Sequence, residues 1–309
     1  MALASPTSTQ STLTAAPKSP FPKSTFKDRR SLLGLWHLLS LDAPTVASLW
    51  IWFIAAANHI RLPLSSIFAM FIAVWMLYAA DRLLDTRLLD SQSQQEQPLE
   101  ARHYFHHRHR TAFLAGILLA SVALAPLLLR LSTEAIHLYL ILGGLLFGYF
   151  ILIHATRSAH RFPKEIAVGI FFAAATFIPT VARQPELRLS LLPAALLLAT
   201  LCSLNCLFIY AWEHDPQRPS VLADHPTHAS TRFALLHLPG LATIIILTGP
   251  ILALLDHSAP WLIAFAAVLS AMMLLLLHAR RHYIAPLTLR AAADLVLLTP
   301  LLLIPFLHR

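Results

Sequence analysis

Nine apolar segments follow one another along the chain, separated by short polar breaks. Each contains roughly 18 to 24 residues, mainly Leu, Ala, Ile and Phe, which is the length that an α-helix needs to cross the hydrocarbon core of a bilayer. Only 12% of the residues are charged, against about a quarter in soluble domains. The strict alternation typical of a membrane β-barrel is absent. The sequence therefore predicts an all-α, polytopic membrane protein.

The predicted transmembrane domain is one nine-helix bundle over residues 31–309, preceded by a tail. We expect helices over 33–57, 63–85, 111–129, 134–153, 165–182, 189–212, 233–255, 259–278 and 289–307. Residues 1–30 are rich in Ser, Thr, Pro and Lys and have almost no large apolar side chains before Phe21. That composition is typical of a disordered tail, and it lacks the early apolar core of a secretory signal.

The basic residues predict the orientation of the bundle. Of the 23 Lys and Arg residues, 18 fall on the side of the amino-terminal tail, and the other five are Arg61, Arg130, Arg183, Arg188 and Arg309. The positive-inside rule places the amino terminus and the longer loops in the cytoplasm, so we expect an inner or plasma membrane protein whose site faces the cytoplasm. The bases form no stripe of the kind that binds nucleic acid.

Two carboxylates, Asp81 and Asp85, end the second predicted helix four residues apart. This spacing places both on one helix face, and acids at membrane depth need a compensating charge. Mg²⁺ is the compensator that we favour. The alternative for this cluster is a local ion pair of Asp81, Arg82 and Asp85 among the lipid head groups.

A second polar cluster, Asn205, Glu213 and Asp215, closes the sixth predicted helix on the same side of the membrane. Mg²⁺ typically takes one or two protein carboxylates together with water and phosphate oxygens. Two acidic clusters on one side therefore suit two Mg²⁺ ions that bridge a diphosphate. The predicted metal ligands are Asp81, Asp85, Glu213 and Asp215.

Basic residues follow the fourth predicted helix on that same side. Arginine binds phosphate with two parallel hydrogen bonds, and lysine supplies a point charge. Ordinary positive-inside placement is the competing explanation for Arg157 and Arg161. Lys164, which directly precedes the fifth predicted helix, is the stronger candidate for an anion ligand.

Arg290 and Asp294 open the ninth predicted helix with a spacing that predicts an ion pair along that helix. A role in lining the site is the alternative, because the ninth helix begins on the same side as both acidic clusters.

Together these motifs resemble those of the UbiA superfamily of intramembrane prenyltransferases. Its members have nine transmembrane helices, aspartate-rich motifs after helices two and six, and a basic residue after helix four. The family's first motif reads N-D-x-x-D-R-x-x-D, and Asp81, Arg82 and Asp85 match its second half. The resemblance spans residues 33–307, and Asp42 also looks like part of the family's opening segment. The chain departs from the family at Leu77 and Tyr78, where the family has Asn and Asp, and in its altered second motif.

The resemblance implies transfer of a prenyl group from a prenyl diphosphate to a lipophilic acceptor, with assistance from Mg²⁺. It implies catalytic roles for Asp81, Asp85 and Glu213. Diphosphate binding is assigned to Lys164, Arg82, Arg161 and Asn205. Membrane lipids are the other expected partners, with no obligate protein partner.

Two other classes of function stay open. A repurposed member of the same fold would bind an isoprenoid or lipid without turnover, which the loss of the first-motif Asn and Asp favours. A transporter would use the acids as ion sites, but transporters usually place such groups near the bilayer midplane in broken helices.

Overall fold

The computed structural model describes residues 32–91, 105, 108–155, 164–213, 229–255 and 260–307. These ranges form helices, and none of the described residues lies in a strand. The α-helices are α1 (Leu32–Leu38), α2 (Asp42–Ala57), α3 (Leu64–Ser91), α4 (Arg110–Leu128), α5 (Thr133–Ala155), α6 (Lys164–Val181), α7 (Leu187–Ser190), α8 (Leu192–Glu213), α9 (Ala229–Leu236), α10 (Leu238–Leu255), α11 (Trp261–Arg280), α12 (Pro286–Leu295) and α13 (Pro300–Leu303). Short 3₁₀ turns cover Arg281–Tyr283, Val296–Leu298 and Ile304–Phe306.

Among the described residues, seven helices are long and apolar enough to cross a membrane, and the number is eight if α1 and α2 form one bent span. Within α5, the stretch Thr133–Tyr149 is apolar but shorter than these seven helices. These helices confirm the prediction of an all-helical, integral, multi-pass membrane protein.

The bundle core lies around α2 and α8, where Trp50, Phe53 and Phe208 are fully buried. Helix α4 lies at the edge, and Leu118 and Leu119 on it are about two-thirds exposed. Exposed leucines of this kind are expected where a helix faces lipid, because lipid tails are as apolar as leucine.

The first predicted helix, 33–57, is two helices that meet at an angle of 90°. Ser40 adopts the left-handed conformation at the bend, with φ of 58°. The last carbonyls of a helix have no intrahelical partner, and here α3 donates to one in the last turn of α1 and to the carbonyl just after the helix. Trp75 Nε1 donates to the carbonyl of Leu39 at 3.1 Å, and Arg82 Nη1 donates to that of His37 at 3.0 Å. The bend brings His37 beside Asp42.

The last predicted helix, 289–307, is broken into short α and 3₁₀ pieces. Pro300 has no N–H to donate to the carbonyl of Val296, four residues earlier. The Ser270 hydroxyl donates to that carbonyl at 2.8 Å instead. Trp50 Nε1 donates to the carbonyl of Leu297 at 2.9 Å. Side chains of α11 and α2 therefore hold this segment in place just beyond Asp294.

Helices α6 and α8 approach each other closely at Gly169. A Cβ at this position would lie 2.1 Å from Ser203 Oγ and 2.6 Å from the carbonyl oxygen of Ala199. Small residues allow such close contact between membrane helices. The antiparallel pair places Lys164, at the start of α6, and Glu213, at the end of α8, at the same end of the bundle.

Candidate functional site

A cavity of about 230 Å³ lies at the end of the bundle where α3 and α8 finish and α2, α6 and α12 begin. Six helices contribute to its wall, namely these five and α1. The charged residues that line it are Asp42, Arg82, Lys164, Glu165, Glu213, Arg290 and Asp294. A mixture of acidic and basic side chains at one end of an apolar bundle is typical of a functional site.

Four residues that the sequence proposed for the site line this cavity together. They are Arg82 of α3, Lys164 of α6, and Asn205 and Glu213 of α8. Asn205 and Glu213 are eight residues apart and therefore share one face of their helix. Lys164 is exposed at the first residue of α6.

The remaining proposed site residues are Asp81, Asp85, Arg161 and Asp215. Asp81 is not among the residues that line the cavity, and its role as a catalytic and metal-binding carboxylate stays a prediction. Successive residues of a helix point about 100° apart, and Tyr78 and Arg82, four residues apart, occupy the cavity side of α3. The side chain of Asp85, together with Arg161 and Asp215, lies outside the described residues.

Asp42 is held by three donors in a buried network. Its Oδ2 lies 2.6 Å from His37 Nδ1 and 3.6 Å from Arg82 Nη2, and its Oδ1 accepts the backbone N–H of Ala43 at 3.0 Å. His37 and Asp42 are only 1% and 2% exposed. Hydrogen bonds strengthen in such a low-dielectric interior, so this network fixes the carboxylate rigidly.

Asp294 faces the same network from α12. Its Oδ1 accepts a hydrogen bond from Asn205 Nδ2 at 3.1 Å. One donor atom from each of His37, Asp42 and Asp294 can be chosen so that all three lie within 4.8 Å of one another. Two like charges about 4 Å apart repel by about 4 kcal/mol at an effective dielectric constant of about 20. The two carboxylates therefore need positive charge nearby.

Arg290 and Asp294 each have a partner on α8. Arg290 donates a hydrogen bond from Nη1 to Glu213 Oε1, and Asp294 accepts one from Asn205. These contacts join α12 to α8, an interhelical arrangement that spacing along α12 does not reveal.

The sequence interpretation missed His37 and Asp42 as candidate site residues, and it gave Asp294 a site-lining role only as the alternative to an ion pair with Arg290. A signal for both aspartates was present, because each interrupts an apolar segment, and ionisable residues within membrane spans are functional candidates by default. The pairing of a carboxylate near the start of the chain with one near its end depends on the packing of α2 against α12.

A second cavity, of about 270 Å³, lies toward the other end of α3 and α6. Its lining is mainly apolar and includes Met70, Leu124, Tyr139 and Pro179. Arg183 also lines it, and the apolar part of its wall is suited to a hydrocarbon chain.

No protein family model matches this chain, and neither a curated protein nor a solved structure matches it.

Proposed function

We propose that the protein is a divergent, UbiA-like intramembrane prenyltransferase that takes a prenyl diphosphate and transfers its prenyl group to a lipophilic acceptor. The observation that supports this most is the convergence of Arg82, Lys164, Asn205 and Glu213 on one cavity. The family resemblance selected these residues from three segments that lie far apart in the sequence.

The diphosphate binds at the Lys164 side of the cavity in this proposal. Lys164 is exposed at the N-terminus of α6, and helix N-termini favour anions through their free N–H groups and dipole. Arg290 lines the same cavity, where it bonds Glu213. Arg82 is 7% exposed and bonds α1 and Asp42, so it shapes the cavity wall and contributes charge without leaving its partners.

The carboxylates of the cavity fit Mg²⁺, which prefers oxygen donors and accepts phosphate oxygens as further ligands. Of the predicted metal ligands, Glu213 lines the cavity, and Glu165 lies near it in the same wall. Glu213 and Glu165 would hold Mg²⁺ beside the diphosphate, with Asp85 and Asp215 as additional proposed ligands. When bound, the ion would neutralise charge on the departing diphosphate.

The prenyl chain occupies the apolar part of the bundle. Tyr78 and Phe172 line the site cavity, and the faces of their rings are suited to stabilising an allylic cation. The second, apolar cavity provides space for a hydrocarbon chain further along α3 and α6. Exclusion of water from this region protects a reactive cation.

We also propose nine membrane spans, with α1 and α2 counted as one broken span and α5 as another. The protein then lies in an inner or plasma membrane. Its amino terminus is cytoplasmic, and the cavity faces the cytoplasm. Labelling of single introduced cysteines at residue 20 and at Arg130 by a membrane-impermeant thiol reagent tests this orientation, after Cys202 and Cys206 are replaced by Ala. Labelling of residue 20 in intact cells would contradict it.

A second candidate is a protein of the same fold that binds a prenyl diphosphate or lipid without turnover. It is favoured by the ion pair of Glu213, the proposed Mg²⁺ ligand of the cavity, with Arg290. Carboxylates satisfied in this way are less available to a metal ion.

Diphosphate release separates the two candidates. Purified protein is incubated with farnesyl diphosphate, Mg²⁺ and a membrane lipid extract as the source of acceptor, and released diphosphate is measured. If the protein is a transferase, we expect Mg²⁺-dependent release of diphosphate. The rate of release should fall at least tenfold in Lys164→Ala and stay unchanged in the control Arg130→Ala. Farnesyl diphosphate binding without release supports the binding protein, and absence of both overturns the proposal.

A further inference from the structure

We propose that His37, Asp42, Asp294 and Asn205 form a resident binding site for a first-row divalent metal ion such as Mn²⁺ in the buried wall of the cavity. This site is separate from the proposed Mg²⁺ ligands Glu213 and Glu165. It is occupied without any prenyl diphosphate, so it goes beyond the proposed function and does not depend on it.

The donor atoms already lie close to the separations that a metal ion requires. Ligand bonds of about 2.0–2.2 Å place neighbouring donors about 3 Å apart and opposite donors about 4.3 Å apart. One donor atom from each of His37, Asp42 and Asp294 lies within 4.8 Å of the others. His37 and Asp294 are therefore close enough to share one cation, with Asp42 hydrogen-bonded to the other ring nitrogen of His37.

Two buried polar atoms beside these groups point independently to a ligand. Asn205 Oδ1 and His37 Nε2 are inaccessible to solvent and have no hydrogen-bond partner in the described part of the chain. The Asn205 side chain is 4% exposed, and its Nδ2 already donates to Asp294. An unsatisfied buried acceptor is costly, and a cation beside Asp294 would satisfy Asn205 Oδ1.

His37 has the surroundings of a metal-binding histidine. Its Nδ1 lies 2.6 Å from Asp42 Oδ2, which leaves Nε2 as the ring nitrogen without a partner. Histidine ligands typically donate their other ring N–H to a carboxylate, which fixes the tautomer and the orientation of the ring. Asp42 therefore orients His37 through Nδ1, and its negative charge strengthens binding of a cation at Nε2 through the ring.

The charge of the cluster also favours a cation. Asp42 and Asp294 bring two carboxylates into the interior, and Arg82, 3.6 Å from Asp42, provides one formal positive charge. One unit of negative charge remains, which favours a bound cation. Protonation of His37 or of a carboxyl group is the competing source of compensation, and direct measurement of bound metal distinguishes the two.

The mixture of donors selects the metal. One imidazole nitrogen with carboxylate and amide oxygens suits Mn²⁺, Fe²⁺ or Zn²⁺, whereas Mg²⁺ prefers oxygen ligands alone. Mn²⁺ is the useful probe because its unpaired electrons report nearby ¹⁴N nuclei by pulsed electron paramagnetic resonance.

The test uses purified, metal-stripped protein in detergent with Mn²⁺ and no prenyl diphosphate. Bound Mn²⁺ is counted from the loss of the free-ion signal, and ¹⁴N coupling is recorded on the bound ion. We expect one Mn²⁺ per chain with ¹⁴N coupling. The coupling disappears in His37→Gln, and Asp294→Asn weakens binding at least tenfold. Glu134→Gln, a carboxylate paired with Arg188 near the start of α5, binds like the wild type.

Absence of bound Mn²⁺ in the wild-type protein overturns the proposal, whatever the variants do. Unchanged binding and unchanged ¹⁴N coupling in His37→Gln also overturn it, and size-exclusion chromatography verifies that each variant is folded. If Asp294→Asn does not fold, the proposal is judged by whether the ¹⁴N coupling disappears in His37→Gln. A failure of farnesyl diphosphate to bind leaves this result intact, because no prenyl diphosphate is present.

Discussion

Arg82 Nη1 donates a hydrogen bond to the backbone carbonyl of His37 at 3.0 Å, while its Nη2 lies 3.6 Å from Asp42 Oδ2. One guanidinium on α3 thus contacts both sides of the bend between α1 and α2. Arg82, which the sequence predicted for the site, therefore also secures the cavity wall.

Arg82→Lys is expected to destabilise the protein. A lysine ammonium group cannot donate to both the His37 carbonyl and the Asp42 carboxylate as the planar guanidinium does. One of these buried acceptors then loses a donor, which costs about 1–3 kcal/mol of folding free energy. Thermal unfolding in detergent measures the loss. The exposed Arg130 provides the control Arg130→Lys. Equal unfolding temperatures for the two variants would show that Arg82 does not secure the bend.

Trp50→Phe is expected to loosen the segment after Asp294. The indole donates to the Leu297 carbonyl, and phenylalanine leaves this buried oxygen without that donor, at a cost of about 1 kcal/mol. Trp261→Phe is the control, because Trp261 is 47% exposed. Chemical unfolding in mixed micelles compares the two. A larger effect at Trp261 would contradict the role given to Trp50.

Gly169→Ala is expected to separate α6 from α8, because the added Cβ meets the backbone of Ala199 and Ser203. Overpacking of this kind costs about 1–3 kcal/mol, and the displaced α6 carries Lys164 with it. Gly144→Ala is the matched control on α5, where the added Cβ has no neighbour within 4 Å in the described residues apart from the adjacent backbone of its own helix. We expect a lower unfolding temperature for Gly169→Ala only. An unchanged temperature would mean that the helices can move apart at no cost.

Glu213→Gln is expected to change how farnesyl diphosphate binding depends on Mg²⁺. Without Mg²⁺ the variant should bind several-fold more tightly than the wild type, because a negative charge is removed and Arg290 loses its carboxylate partner. Added Mg²⁺ should then strengthen binding less than in the wild type. Isothermal titration calorimetry with and without Mg²⁺ measures both effects. Weaker binding under both conditions would argue against competition between Glu213 and the diphosphate for Arg290.

The apolar pattern predicted most of the helices because membrane length and hydropathy are local properties. The bend at Ser40 could not be predicted in this way, since no glycine or proline marks it between Leu38 and Asp42. Its stability comes from Trp75 and Arg82 on α3, which are contacts made only in the folded bundle.

The site was predicted in part for a similar reason. Lys164 and Glu213 lie at the ends of apolar segments, where topology alone places them on one side. Asp81 also lies at the end of an apolar segment. The face of α3 that lines the cavity carries Tyr78 and Arg82 instead. The meeting of Asp42 with Asp294 depends on long-range packing that spacing does not encode.

The most direct test of the proposed function is equilibrium binding of farnesyl diphosphate and of farnesol to the purified protein with Mg²⁺ present. Both probes carry the same hydrocarbon chain, so their difference isolates recognition of the diphosphate. We predict that the wild type binds farnesyl diphosphate at least tenfold more tightly than farnesol, and that Lys164→Ala removes most of this preference. Equal binding of the two probes by the wild type, or a preference that is unchanged in Lys164→Ala, would contradict a diphosphate site in this cavity.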